Sequence, residues 1–130
     1  MTLVDTSAWI TVFRRRRPVD LEDHVPLERV VTCLPVVQEV LQGFDDEAAF
    51  RRASTAMWAL PVVESPLGDD VIRQAIDLYR TARRAGITVR SSVDCLIAAC
   101  ALRHDLEVLH DDRDFPALAR ISRLRERALR

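Results

Sequence analysis

Acidic side chains occupy four places in this sequence where an ordinary solvated surface charge is not the simplest explanation. Asp5 directly follows a short apolar segment, Glu39 stands among valines and a leucine, and Asp94 interrupts a long apolar run. The fourth place is the acidic segment Asp111–Asp114. Carboxylates in one pocket repel one another unless a cation lies among them, and carboxylate oxygens are the ligands that Mg²⁺ and Mn²⁺ prefer. The sequence predicts a metal site if the fold brings these acids together.

Asp94 is the strongest single anomaly among these acids. The helix predicted from Val93 to Leu102 is apolar nearly all round, which is typical of a buried helix. One turn after Asp94 the chain has Ile97 and Ala98, which offer no cation. A buried, unpaired carboxylate is costly, so we expect Asp94 to be protonated, paired or bound to metal. Pairing with Arg90 and capping of the first helical turn are the structural alternatives.

Asp5 and Glu39 also have simple structural explanations. Asp5 is a favoured residue for capping the helix that follows it, although Thr6 and Ser7 can also cap that helix and so leave Asp5 free. Glu39 can belong to a polar helix face that it shares with Gln38. These alternatives stay open for each residue alone, and the argument for a site depends on all the acids meeting in one place.

Strands and helices alternate along the chain, and this order determines where the acids lie. The predicted strands are Thr2–Asp5, Val30–Cys33, Pro61–Glu64, Glu107–His110 and Leu124–Leu129. The predicted helices run from Thr6 or Ser7 to about Arg15, from Pro35 to Gly43, from Asp45 or Asp46 to Ala59, from Asp69 to Ala85, from a cap at Ser92 to Leu102, and from Phe115 to Ile121. Such alternation predicts a parallel sheet covered on both faces, whose carboxyl edge carries the functional residues.

Composition narrows the class of protein. The 130 residues are 48% hydrophobic and 30% charged, which is typical of a globular protein. The length fits one domain, and we predict that this domain spans residues 1–130. No apolar run is long enough to cross a membrane and no signal peptide is evident, so we expect a cytoplasmic protein. Three cysteines without metal-ligand spacing are expected to be free thiols.

All cations other than histidine are arginines, and four of them are consecutive. The sequence has 19 lysine and arginine residues and none of them is lysine. Arginine binds phosphate through two parallel hydrogen bonds, which suits a nucleic-acid surface. We predict that Arg14, Arg15 and Arg16 contact RNA, with a helix end whose charges match the helix dipole as the alternative.

Four motifs together resemble a PIN domain, specifically a VapC-type toxin of a toxin–antitoxin pair. The motifs are Leu3-Val4-Asp5-Thr6-Ser7-Ala8-Trp9, Gln38-Glu39-Val40-Leu41, Ser92-Val93-Asp94-Cys95-Leu96-Ile97-Ala98-Ala99 and Asp112-Arg113-Asp114-Phe115. Their order and spacing cover essentially the whole chain. The resemblance implies a PIN-like α/β/α sandwich with a central, mostly parallel sheet of about five strands.

The resemblance also implies an activity and a set of site residues. It implies an endoribonuclease that needs Mg²⁺ or Mn²⁺, forms a homodimer and is blocked by a VapB-type antitoxin. The catalytic and metal-binding acids carry over to Asp5, Glu39, Asp94 and Asp112, with Asp114 as an additional metal ligand. Thr6 and Ser92 match polar positions that orient water or a carboxylate beside the metals. A non-catalytic PIN-like module that binds RNA or a partner is the alternative function.

Two segments depart from the usual pattern of this family. His110 and Asp111 replace small polar and basic residues, which leaves open whether Asp111 or Asp112 faces the metal, although the Asp-x-Asp-Phe spacing favours Asp112. The tail from Ile121 to Arg127 is unusually basic for a last strand. It is either a charged edge strand that resists aggregation or an RNA contact.

Overall fold

The computed structural model describes residues 1–130 as a five-stranded sheet flanked by helices. The strands are β1 (Thr2–Val4), β2 (Val30–Cys33), β3 (Val62–Val63), β4 (Glu107–His110) and β5 (Arg125–Ala128). Their order across the sheet is β3-β2-β1-β4-β5, and every neighbouring pair is parallel. The predicted α/β fold with about five strands is confirmed, and the sheet is parallel throughout.

Six helices connect the strands. They are α1 (Thr6–Phe13), α2 (Leu34–Gln42), α3 (Glu47–Trp58), α4 (Asp69–Arg84), α5 (Ser92–Arg103) and α6 (Asp114–Ala119), with short 3₁₀ turns at Leu21–Asp23 and Leu27–Arg29. After β3 the chain reverses its direction across the sheet. Connections of the usual right-handed kind then place α1 to α3 on one face and α4 to α6 on the other, in agreement with the contacts within each set. No helix in the structure is both long enough and apolar enough to span a membrane.

The central strand β1 determines where a site can form. Its neighbours β2 and β4 lie on opposite sides, so the connections leaving these strands diverge at its carboxyl end. In open parallel sheets this divergence creates a crevice, and ligands bind there. Leu3, Val4, Val108 and Leu109 in the two middle strands are fully buried and form a rigid base beneath that crevice.

Helix boundaries differ from the predictions at two functionally relevant places. Helix α1 ends at Phe13, so Arg14 to Arg17 follow it in a bend instead of forming its last turn. The Nε atom of Arg14 donates to the carbonyl of Arg17, which closes this bend. Helix α5 begins at Ser92 with Ser91 at the capping position, and neither serine side chain donates or accepts a capping bond. The prediction that Ser92 caps the helix is therefore wrong.

Candidate metal centre

Asp5 lies directly after β1, and its two carboxylate oxygens have different surroundings. Its side chain is buried, and its Oδ2 atom caps α1 by accepting from the Ser7 amide at 2.9 Å and the Ser7 hydroxyl at 2.6 Å. The prediction that Thr6 or Ser7 caps the helix in its place is wrong. The Oδ1 atom has no hydrogen-bond partner although it is buried. One oxygen of Asp5 therefore stays available to a ligand.

Asp94 lies in the first turn of α5 and faces the same crevice. Its side chain is 6% exposed, and its Oδ2 atom is buried without a partner. Burial, a hydrogen bond with Asp114 and the charges of Asp5 and Asp112 raise the pKa of Asp94 to about 9. Without a cation, these surroundings therefore favour the protonated form of Asp94.

Asp112 and Asp114 complete the tightest group of ligand atoms in the structure. One carboxylate oxygen from each of Asp94, Asp112 and Asp114 lies within 4.8 Å of the others. Asp114 is buried and accepts from the backbone amides of Arg90 and Ser91 at 3.0 to 3.1 Å. Asp112 is exposed, and its Oδ1 atom accepts from the Asp114 amide at 2.9 Å.

The carboxylates of Asp111 and Asp112 point to different neighbours. The Asp111 amide donates to the Ser7 hydroxyl at 2.8 Å, and the Asp111 carboxylate pairs with Arg130 at 3.0 Å. Asp112 instead contributes the oxygen that groups with Asp94 and Asp114. The geometry therefore favours Asp112 over Asp111 as the residue that faces the cluster.

Glu39 and Thr6 border the cluster on the side of α2. The Thr6 hydroxyl donates to Oε1 of Glu39 at 2.8 Å, and Glu39 is half-buried. Burial is the main cause that raises the pKa of Asp5, with hydrogen bonds from Ser7 opposing it and the charge of Glu39 adding to it. Glu39 and Asp5 therefore lie near enough to repel each other, beside the group formed by Asp94, Asp112 and Asp114.

Ser92 and the arginine segment lie outside this group. Ser92 is exposed, lines a surface groove against α4 and makes no hydrogen bond to any of the acids. Arg14, Arg15 and Arg16 are exposed, and Arg14 lines a groove that also contains Glu39. Sequence reasoning missed Ser7 and the amide of Ser91 as partners of the acids. The spacing Asp5-x-Ser7, typical of a side chain that accepts from the amide two residues later, was the available signal.

The site suits a hard divalent cation. None of the ion pairs in the structure involves Asp5, Glu39, Asp94, Asp112 or Asp114. Two of these acids leave a buried oxygen without a partner, and such groups are costly unless something binds them. All the donors are carboxylate oxygens, which fit Mg²⁺ or Mn²⁺ better than zinc. The residues present therefore fit a metal centre.

Comparison with known proteins agrees with this geometry. A family model described as the PIN domain matches residues 2–121. The chain belongs to the PIN-domain family. Over 137 aligned positions this PIN domain is 39% identical to ribonuclease VapC11 of Mycobacterium tuberculosis and to a VapC ribonuclease of Mycobacterium bovis, with 100% of each chain covered.

Solved structures of toxin–antitoxin complexes have the same fold. The VapBC-5 complex of Mycobacterium tuberculosis has a chain that is 25% identical and superposes with a TM-score of 0.70, covering 99% of this PIN domain and 97% of that chain. VapBC2 of Rickettsia felis, solved with a DNA fragment of its promoter, superposes with a TM-score of 0.79 at 12% identity, covering 99% and 98%. The second likeness concerns the fold alone.

Proposed function

We propose that this PIN domain is a metal-dependent endoribonuclease, the toxic component of a type II toxin–antitoxin system, and that it hydrolyses RNA phosphodiester bonds. The observation that carries this proposal is the group of Asp94, Asp112 and Asp114, together with the buried oxygens of Asp5 and Asp94 that lack any partner. The full-length likeness to VapC ribonucleases supports RNA as the substrate.

Five acids would hold the metal, and Mg²⁺ or Mn²⁺ fits them best. Asp94, Asp112 and Asp114 would supply the nearest ligands, and Asp5 and Glu39, whose charges act on this group and on each other, would complete the set. When bound, a divalent cation polarises the phosphate and lowers the pKa of a water molecule, which makes that water a nucleophile at neutral pH. Asp5, Glu39, Asp94 and Asp112 are the residues that we assign to catalysis.

Protein groups around these acids would fix their orientation before RNA binds. Thr6 holds Glu39, Ser7 holds Asp5, and the amides of Arg90 and Ser91 hold Asp114. A role for Ser92 beside the metals stays a prediction that requires its exposed hydroxyl to act through water. Because the pKa of Asp94 is raised, metal binding would release its proton.

The arginine segment would guide RNA toward the acids. Arg14 lines both the groove that contains Glu39 and a neighbouring pocket that contains Arg15 and Arg52, so the two depressions are continuous at Arg14. The neighbouring pocket is also lined by Asp45 and Asp46, so its three arginines leave it with a net positive charge, which suits a phosphate backbone. Substitution of Arg14, Arg15 and Arg16 by alanine should weaken RNA binding and flatten its salt dependence; an unchanged salt dependence would exclude the contact.

The proposed partners follow from the same family. We expect a VapB-type antitoxin that covers the active site, and a homodimer as the functional unit of this single domain. The three cysteines are free and buried, which suits the reducing environment of the cytoplasm.

Incubation of the purified chain with total cellular RNA and Mn²⁺ tests the proposal. We expect discrete cleavage that disappears with EDTA and in the Asp94→Asn variant. Asp77→Asn provides the matched control, because it removes an exposed carboxylate on α4 and should leave cleavage intact. Binding of RNA by the folded, antitoxin-free chain without cleavage of any RNA would favour the non-catalytic module instead.

A further inference from the structure

A buried histidine lies directly behind the loop that carries Asp112. His110 is the last residue of β4 and is 1% exposed, with its ring against that of Phe115. Its Nδ1 atom accepts from the backbone amide of Asp112 at 3.2 Å. Its Nε2 atom lies 2.5 Å from Oε2 of Glu126 on the neighbouring strand β5. The imidazole therefore connects the edge strand of the sheet to the loop of the metal centre.

These two contacts determine the tautomer of His110. A backbone amide can only donate, so Nδ1 must present a lone pair to Asp112 and carries no proton. The proton of the neutral ring then lies on Nε2, which donates to the Glu126 carboxylate. Both ring nitrogens are thereby used, one to orient the loop and the other to orient the ring itself.

The histidine contacts the loop formed by residues 111–114, called the metal loop below. This loop is held mainly through its backbone amides. The Asp111 amide is held by Ser7, the Asp112 amide by His110 and the Asp114 amide by Oδ1 of Asp112. Arg130, two residues beyond β5, pairs with the Asp111 carboxylate. The contact at Nδ1 thus fixes the backbone of Asp112, while the Asp114 amide holds the carboxylate of the same residue.

We propose that His110 and Glu126 are positioning residues for the metal ligand Asp112, acting as a relay from β5 to the metal loop. This inference rests on the proposed metal-dependent function. Burying an imidazole is costly unless both of its nitrogens form hydrogen bonds. An apolar side chain would fill the same space without needing any hydrogen bond. The polar pair is therefore explained by the orientation that it imposes on Asp112.

Two substitutions at position 110 separate orientation from packing. His110→Leu keeps an apolar filling but removes the acceptor for the Asp112 amide. His110→Asn is smaller but keeps an acceptor, because an asparagine side chain accepts from the amide two residues later. Titration of Mn²⁺ alone into the metal-free chain should show affinity lowered about 10- to 100-fold for His110→Leu, the usual effect of losing a partner that orients a metal ligand. Affinity for His110→Asn should remain close to that of the parent.

Glu126 gives a second test that leaves the buried histidine in place. Glu126→Gln keeps an acceptor for Nε2 and should bind Mn²⁺ as the parent does, whereas Glu126→Leu should weaken binding because the ring loses its fixed orientation. Glu107→Leu is the matched control for Glu126→Leu, since it removes another side-chain contact between β4 and β5, to Arg127, at the end of β4 away from the metal loop. It should leave Mn²⁺ affinity unchanged.

The outcomes distinguish this inference from the proposed function. If the parent binds Mn²⁺ and both leucine variants bind it equally well, the relay is wrong and the metal site stands. If His110→Asn loses as much affinity as His110→Leu while remaining folded, the role of the ring is packing and the relay is again wrong. If the parent binds no Mn²⁺, the metal site itself fails and the relay fails with it.

Discussion

The β4–β5 edge and the carboxyl edge of the sheet both carry many charges, but only at the β4–β5 edge do the acids pair with arginines. Along β4 and β5, Glu107 pairs with Arg127 at 3.0 Å and Asp105 pairs with Arg125 at 3.2 Å. At the carboxyl edge, the clustered acids have no arginine partner, although the sequence has 19 arginines to provide one. A missing counter-charge, more than the presence of acids, therefore distinguishes the candidate metal centre.

The two regions also differ in what their charges do for stability. Exposed pairs like those of β5 contribute little, about 0 to 1 kcal/mol each. The carboxyl edge destabilises the metal-free fold, because buried carboxylate oxygens of Asp5 and Asp94 lack partners. Instability of this kind is typical of functional sites that a ligand stabilises on binding.

The largest expected effect comes from removing one ligand at the carboxyl edge. Asp94→Asn should lower the rate of RNA cleavage about a thousandfold, since metal ions contribute several kcal/mol of charge stabilisation and each 1.36 kcal/mol is tenfold in rate. Single-turnover cleavage at saturating Mn²⁺ measures this. A loss smaller than about tenfold would remove Asp94 from the catalytic set.

The same substitution should increase stability when metal is absent. Asp94→Asn removes an acid that must stay protonated or unpaired in the fold, so the free energy of unfolding in EDTA should rise by about 1–3 kcal/mol. Urea denaturation of this variant beside Asp77→Asn, an exposed site where little change is expected, measures the difference. Destabilisation by Asp94→Asn would mean that the charge is compensated in the metal-free protein.

Stability of the metal-free protein should also depend on pH. Asp94 has a pKa raised from 3.8 to about 9, so the folded state binds more protons than the unfolded state between these values. The contribution of Asp94 to the free energy of unfolding is then fully present below about pH 4. It is lost as pH rises toward 9, by up to about 1.4 kcal/mol per pH unit. Asp5, whose pKa is also raised, contributes with the same sign.

Denaturation in EDTA at several pH values tests this dependence, with Asp94→Asn as the control that should reduce it to the part contributed by Asp5. A parent whose stability is constant from neutral pH to pH 9 would contradict the raised pKa.

The smallest effect is expected at the paired edge. Arg127→Gln leaves Glu107 half-buried and without its partner, and should cost about 0 to 1 kcal/mol of unfolding free energy. Cleavage of RNA should be unchanged, because neither residue reaches the acids. A large loss of activity in a folded Arg127→Gln variant would mean that the basic tail contacts RNA.

Much of the fold, and the place of the acids, could be predicted from local patterns. The alternation of apolar strands with amphipathic helices required a parallel sheet, and that sheet puts Asp5 and Asp112 at one edge. Asp94 could be singled out because it interrupts an apolar helix. These features depend on sequence neighbours, which is why sequence alone was sufficient.

Features that depend on contacts between distant residues were not predictable. The pair His110 and Glu126 forms only because β5 pairs with β4 in one register, and nothing near either residue in the sequence indicates it. The sequence presents capping and metal binding as alternatives for Asp5, whereas its two oxygens allow both uses. The bend after Phe13 depends on a contact between Arg14 and the carbonyl of Arg17 that periodicity does not encode.

Calorimetric titration of Mn²⁺ into the metal-free chain near pH 7, in two buffers with different ionisation enthalpies, tests the central claim most directly. The account predicts saturable binding with release of about one proton, because Asp94 must lose its proton to act as a ligand, and it predicts that Asp94→Asn abolishes or strongly weakens this binding. An absence of saturable binding by the folded parent, or equal binding by the variant, would contradict a metal centre built on Asp94.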